Sequence, residues 1–565
     1  MEKIWLKSYP PGMPAEITLG EYKSVGELFE KSCKKFADRP AFTCMGKTIS
    51  FAEVDRMSRD FAAWLQAKGL PKGTRVALMM PNVLQYPVAL FGTLRAGYTV
   101  VNVNPLYTAR EPEHQLKDSG AEVIVILENF AVTLQEVLAK TPIKHVVVTA
   151  LGDMLGAKGI LVNFVVRKVK KMVPAYSLPG AHSWSGVLSE GAGKPLQPFE
   201  VGYEDLAFLQ YTGGTTGVSK GAMLTHKNIL ANIEQASGNL SSALGGERPV
   251  IITALPLYHI FSLTVNCLLM AKMGGENVLI TNPRDIPAFV KELGQHRYNM
   301  ITGVNTLFNA FLHNPDFAKL DFSAVKLCVG GGMAVQKAVA DKWQEVTGKV
   351  LLEGYGLTET SPCATMNPHN LTAYSGAIGI PLPSTIIALR DDDRKDVPLG
   401  QPGEICIAGP QVMKGYWNRP DETAIALRTD EAGRTWLYTG DIARMDEDGY
   451  TYIVQRKKDM IIVSGFNVYP SEVEGVLFTH PAVMEAGVIG IPDSYRGEAV
   501  RACVVLKSGA TATPEELIEH CKLGLAEFKI PCEIEIRESL PKTAVGKILH
   551  RVLREEDQSK ERRET

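Results

Sequence analysis

The sequence predicts an α/β protein: a large N-terminal domain of doubly wound sheets carrying a small β-barrel-like subdomain, hinged to a small α+β C-terminal domain. Three observations lead there. Between about residues 75 and 331, continuously apolar strand-length runs alternate with helix-length stretches, as parallel sheets covered on both faces require. After about residue 375 the chain shifts to short strands between Gly, Pro and Asp turns, the pattern of a smaller antiparallel or barrel-like unit. The charged junction "QRKKD" (455–459) then precedes a last mixed stretch of roughly a hundred residues, the size of a compact domain. The expected boundaries are 1–455, with the β-rich subdomain at about 375–455, and 456–565.

The elements follow in order. "RVALMM" (75–80), a helix ending "LFGTLRAG" (90–97) and "YTVVNV" (98–103) form one βαβ unit, which "AEVIVIL" (121–127) and "HVVVTA" (145–150) extend. A second series comprises "PVIITALP" (249–256), "ENVLIT" (276–281), "YNMITGV" (298–304) and "VKLCVGG" (325–331), with helices such as "DIPAFVKELGQHR" (285–297) between. "TIIALRD", "GEICIAG" and "GYTYIV" supply the later short strands. The tail "REEDQSKERRET" (554–565) reads as a solvated, frayed end.

Composition excludes several functions. The 565 residues are 45% hydrophobic and 22% charged with a net charge of −2, so no global field recruits nucleic acid. Nine scattered cysteines lack any Cys-x-x-Cys spacing or Cys/His cluster, which points to reduced thiols in a cytoplasmic protein. The N-terminus has no apolar h-region and no run of eighteen apolar residues occurs, so neither a signal peptide nor a membrane span is expected.

The chemistry centres on "QYTGGTTGVSKG" (210–221), directly after the apolar "LAFLQY". Counted from Gly214, a Walker A loop needs Gly where Ser219 stands and Ser or Thr where Gly221 stands. Only Gly214 and Lys220 fit. The phosphate-binding physics survives, because Gly213, Gly214 and Gly217 admit close backbone approach to an anion. Thr212, Thr215, Thr216 and Ser219 add hydroxyls, and Lys220 adds a positive charge.

"EGYGLTET" (353–360), "YTGD" (438–441), "GFNVYPSEVE" (465–474) and "PKTAVGKI" (541–548) follow in this order. With the opening loop they resemble the acyl-adenylate-forming (AMP-binding) superfamily of acyl-CoA synthetases, luciferases and peptide-synthetase adenylation domains. "VNVNPLYTARE" (101–111), "LPLYHIF" (255–261), "ITGVNTLFNA" (301–310) and "GPQVMKGYWNRPDET" (409–423) narrow the resemblance to bacterial long-chain fatty acyl-CoA synthetases.

The resemblance implies ATP-dependent activation of fatty acids for their degradation. The carboxylate joins AMP with loss of pyrophosphate, and the CoA thiol then displaces AMP. It implies ATP, fatty acid and CoA as substrates and Mg2+ as cofactor, with Thr212 and Glu359 as oxygen ligands for that hard ion. Gly330, Gly331 and Gly332 lie beside the adenine and acyl path. Gly354, Tyr355 and Gly356 form the adenine side, with Tyr355 stacking on the base and Thr358 meeting the α-phosphate. Asp441 holds the ribose hydroxyls, and Arg456 reinforces the ribose or phosphate end. His259 sits where the carboxylate enters, a position where a lone histidine is also at home in a core. Lys547 stabilises the adenylation transition state electrostatically. Ser464, Gly465 and Phe466 face CoA after the C-terminal domain turns about Lys458. Two departures, Gln455 before the arginine and His550 where an arginine is usual, bear on the balance between the two domain poses.

The same motifs serve aryl-CoA ligases of the coumarate type and medium-chain ligases. A non-catalytic acyl- or nucleotide-binding regulator is the reading of another class, although it would be expected to lack Lys547 or Glu359. Homologous enzymes often dimerise, a property the sequence leaves open. Finally, "GILVNFVVRKVKKMVP" (159–174) sets Val162, Val166, Val169 and Val173 on one helical face and Arg167, Lys168, Lys170 and Lys171 on another. Such a segment suits peripheral contact with the cytoplasmic face of the inner membrane, or packing on the core.

Overall fold

Runs such as Val123–Leu127, apolar and buried at every position, are stable only where helices cover both faces of a sheet. The computed structural model describes residues 3–212, 219–456, 459–464, 466–493, 496–543 and 546–564, with side chains at all but 455, 456, 466, 467 and 560–564. In it the first sheet has seven strands, ordered His182–Ser183, His145–Thr149, Val123–Leu127, Arg75–Met79, Thr99–Asn102, Leu206–Thr212 and Lys220–Thr225. Its pairings are parallel except the last, an antiparallel hairpin.

The second sheet has nine strands. Its parallel centre is Leu351–Gly356, Leu327–Gly331, Met300–Gly303, Val250–Thr253, Glu276–Leu279 and Pro40–Cys44. Cys363–Met366 and Lys47–Ser50 flank that centre in antiparallel pairing. The early hairpin Pro40–Ser50 thus joins a sheet otherwise built from residues 250–381. Strands of four or five residues carry too little periodicity to announce that crossing.

Helices between the sheets close the main core. Phe51–Gln66 begins with a capping box between Ser50 and Glu53 and buries Val54, Phe61 and Trp64. It crosses Gln85–Arg95 at Gly92, where a Cβ would stand 2.7 Å from the Phe61 ring and 2.8 Å from the Ser58 carbonyl. Only glycine permits that approach.

Buried amides also tie the sheets together. Asn82 Nδ2 donates to the carbonyls of Thr253 (2.9 Å) and Leu255 (3.0 Å), and its Oδ1 accepts from Leu257 N. Asn102 Nδ2 donates to Gln210 Oε1, and Gln210 Nε2 donates to Tyr258 O at 2.6 Å. The Tyr86 hydroxyl lies between Asn102 Oδ1 and Leu257 O. Segment 253–258, which leads to His259, is therefore held by Asn82, Tyr86 and Gln210.

The β-rich unit is a five-stranded antiparallel sheet of Ile386–Arg390, Gly403–Ala408, Leu427–Thr429, Thr435–Met445 and Thr451–Arg456. The last unit places Ile461–Val463, Phe466–Val468, Val483–Asp493, Gly497–Leu506 and Glu533–Ile536 in one sheet around its own core.

Two expectations are corrected. The charged tail is not frayed, because His550–Glu564 is a helix. Leu553 is fully buried, and Arg554 pairs with Asp459, Glu556 with Arg537 and Asp557 with Arg501. Arg554, Glu556 and Asp557 thus have partners across the domain. In segment 159–174, Val166 is buried and Val162 packs on the core while Val169 is exposed, and the helix ends at Val169, so the four valines do not share one helical face. The exposed apolar side chains are instead Ile160, Leu161, Phe164, Val169 and Met172. Arg167 forms a two-pronged bond with Glu128 (2.8 and 3.0 Å).

Candidate active site

The hairpin places Thr212 opposite Lys220, so both hold the mouth of the glycine-rich loop. Gly213, Gly214, Thr215, Thr216 and Gly217 themselves lie outside the described residues. Lys220 pairs with Glu422, and its ammonium stands 4.8 Å over the Tyr416 ring. The turn Thr358–Thr360 packs against both hairpin strands, bringing Thr358 and Glu359 to the same place. Glu359 Oε1 accepts from the Tyr416 hydroxyl at 2.6 Å, and its carbonyl accepts from Met413 N. Among the described residues, nothing donates to the other carboxylate oxygen. Glu359 with the Thr212 hydroxyl is thus a hard-oxygen donor set facing the loop, which fits Mg2+.

The glycines expected beside the adenine are held by the packing of neighbouring strands. Gly331 pairs with Gly354, and a Cβ on Gly331 would meet the Phe261 ring at 3.0 Å and the Gly354 carbonyl at 3.1 Å. A Cβ on Gly356 would stand 1.9 Å from Pro362 O. Gly332 takes φ +76°, and Gly330 faces Val335. Tyr355 donates to Asp441 Oδ2 at 2.7 Å, so the expected adenine and ribose residues are already bonded to one another. Asp441 is buried and pairs through its backbone with Arg456, whose side chain lies outside the described residues. A cleft of about 610 Å³ is lined by Lys220, Tyr416, Glu422, Glu404, Tyr438 and Gly440.

His259 follows the suspended segment 253–258. Its Nδ1 accepts from Phe261 N at 3.3 Å, which leaves the proton on Nε2. Burial lowers its pKa to about 4, so it is neutral near pH 7 and acts as a hydrogen-bond donor, not as a cation.

The C-terminal turn reaches the same region. Thr543 N donates to Lys547 O, Gly546 N to Thr543 O and Lys547 N to Thr543 Oγ1. This closes a tight loop in which Gly546 has φ +83°. A Cβ on Gly546 would lie 2.8 Å from Thr306 Oγ1 and 3.8 Å from Val304, and Val304 also lies 3.9 Å from a Cβ placed on Gly332. Lys547 is therefore delivered to the end of the glycine triad. Ser464 is exposed and its backbone N–H donates to the Arg496 carbonyl, within its own domain. Gly465, the side chain of Phe466, Lys458 and the side chain of Gln455 lie outside the described residues. His550 bonds Glu474 at 2.7 Å within its own domain.

Sequence reasoning missed Tyr416 and Glu353. Glu353 Oε1 accepts from Val335 N at 2.8 Å, while its buried Oε2 finds no partner among the described residues. Tyr416 stands in the quoted "GPQVMKGYWNRPDET", so the motif was visible although the residue's contacts were not.

Comparison with known proteins shows the family. The AMP-binding enzyme family matches residues 29–417, and the AMP-binding enzyme C-terminal domain matches 472–547. A long-chain-fatty-acid–CoA ligase of Yersinia pestis is 58% identical over 559 residues, covering 99% of this chain and 98% of that one. The crystal structure of an anthranilate CoA ligase in complex with anthranoyl-AMP superposes with a TM-score of 0.83 at 25% identity, over 96% of this chain and 98% of that one. ATP-bound MatB from Rhodopseudomonas palustris gives 0.77 at 30% identity, over 94% and 99%.

Proposed function

The chain belongs to the AMP-binding enzyme family, and from that premise we propose that it converts long-chain fatty acids to acyl-CoA through an acyl-adenylate, releasing AMP and pyrophosphate, for fatty acid degradation. The observation that carries the reading is the docking of the Lys547 turn on Val304 and Thr306, beside Gly332. That turn carries Lys547, whose ammonium would stabilise the adenylation transition state, where negative charge concentrates. The hairpin loop grips the β- and γ-phosphates as a departing group. Neutral His259 donates to the acyl carboxylate, Asp441 and Tyr355 orient the nucleoside, and Thr358 meets the α-phosphate. Mg2+, held by Glu359 and Thr212, would offset the charge of the polyphosphate. The long-chain preference is supported by the name of the Yersinia pestis relative and by the apolar surroundings of Val304, Phe261 and Phe308.

A pyrophosphate-release assay across a fatty-acid length series, with and without CoA, tests this. Pyrophosphate and AMP are expected, not ADP. The specificity constant should climb by up to about fourfold per added methylene, as burial of about 0.8 kcal/mol implies, then level off. A maximum at acetate or coumarate overturns the substrate assignment.

We further propose that the helix Ala157–Phe164 with its continuation Val165–Val169 rests on an anionic bilayer. Ile160 is 78% and Phe164 57% exposed, and Lys168, Lys170 and Lys171 are exposed beside them. Arg167 is taken up by Glu128, which leaves three lysines for lipid headgroups. No helix among the described residues is long and apolar enough to cross a membrane, so attachment would be peripheral. Co-sedimentation with vesicles containing anionic lipid should fall several-fold when Ile160, Leu161 and Phe164 become Ser. Equal binding by that variant removes the helix from the account.

A further inference from the structure

Tyr416 touches two groups of the nucleotide site at once. The segment Gly415–Trp417 lies alongside the second hairpin strand: Met223 N donates to Gly415 O, Trp417 N donates to Gly221 O, and Ala222 bridges Tyr416. This extra edge holds the Tyr416 ring beneath the Lys220 ammonium and aims its hydroxyl at Glu359 Oε1, 2.6 Å away. Met413, three residues earlier, holds the Glu359 backbone through its own N–H. One short stretch thus grips Glu359 by main chain and side chain while it lines the phosphate hairpin.

We propose that Tyr416 is a positioning residue for the triphosphate and its cation. Its hydroxyl occupies one oxygen of Glu359 so that the other is presented to the divalent ion, and its ring supports Lys220 at the mouth of the loop. The inference rests on the reading of Glu359 as a cation ligand. A carboxylate restrained on one oxygen cannot rotate away from the ion, and loss of such supporting bonds commonly weakens metal binding by about 10–100-fold. The ring contact is separable from the hydroxyl, because a cation over an aromatic face does not need the phenol oxygen.

The test measures equilibrium ATP binding to the full-length protein by calorimetry while free Mg2+ is titrated, for the wild type and for Tyr416→Phe, Tyr416→Leu and Glu359→Gln. Tyr416→Phe keeps the ring, so its ATP affinity without divalent ion should equal that of the wild type. Its half-saturating Mg2+ should rise about tenfold. Tyr416→Leu should show the same shift and also weaker ATP binding without Mg2+. If Glu359→Gln shifts the Mg2+ dependence and Tyr416→Phe does not, the inference is overturned while the reading of Glu359 stands. If Glu359→Gln leaves the Mg2+ dependence unchanged, the reading of Glu359 falls and takes the inference with it. Should Tyr416→Leu fail to fold, the Phe variant decides the hydroxyl's role alone.

Discussion

Glu353 opens the quoted "EGYGLTET", yet its behaviour comes from what folds over it. Its strand pairs with Gly330, and Val335 N and the region of Tyr374 close above the carboxyl. Burial raises its pKa from 4.5 to about 7, against the lowering effect of the Val335 and Tyr374 bonds. Between those values the folded protein keeps a proton that the unfolded chain releases, so this group's contribution falls as pH rises through that window. Above it a buried carboxylate is ionised at a cost of about 3 kcal/mol. Glu353→Gln should therefore raise the melting temperature relative to wild type at about pH 8 and lose that advantage near pH 5. A constant difference across the range would show that the group does not titrate there. Glu359, Asp441 and the glycines were legible because their chemistry is tied to short motifs. Glu353 and Tyr416 were not, since a carboxyl buried with one oxygen lacking a donor and a phenol on a carboxylate arise only when distant strands close.

At the scale of elements, strands buried on both faces were legible because apolar continuity needs no tertiary information. Val123–Leu127 and Val250–Thr253 fall where the apolar runs predict. The terminal helix His550–Glu564 was not, because its stability depends on Arg501, Arg537 and Asp459, each remote in sequence. His550, the departure from the arginine usual at this position, shows what such pairing does. Burial pulls its pKa down, but the Glu474 carboxylate, helped by Asp459 and opposed by Arg554, outweighs this and leaves it raised above 6.5. A raised histidine contributes fully below its unfolded value and loses that contribution as pH rises through the folded one. His550→Arg keeps a permanent charge on Glu474. Relative to it, the wild type should lose melting temperature in calorimetry as pH rises above about 6.5 and through the raised folded value. Parallel profiles would mean that the His550–Glu474 bond does not depend on protonation.

The molecule as a whole has to bring a lysine from its last hundred residues to a site built by the first four hundred and fifty or so. Gly546 is where the two meet. Its φ of +83° disfavours any side chain, and an added Cβ would press on Thr306 Oγ1 at 2.8 Å. A non-glycine residue in the left-handed region costs about 1–2 kcal/mol, and the contact with Thr306 adds to that only while the turn is docked. Gly546→Ala should therefore penalise the arrangement seen here and spare any in which the C-terminal domain has turned away. Adenylation, followed as acyl-AMP formed in a single turnover, is expected to slow by about tenfold or more. Thioester formation from supplied acyl-AMP and CoA should change by less than about twofold, since that step does not draw on the docked turn. Thr306→Ser in the same background removes the methyl but keeps the hydroxyl that the Cβ meets, so it should not restore the rate, whereas Thr306→Gly should recover part of it. Equal slowing of both half-reactions by Gly546→Ala would show that one fixed arrangement serves the whole reaction, and the alternating role of the C-terminal domain would be abandoned.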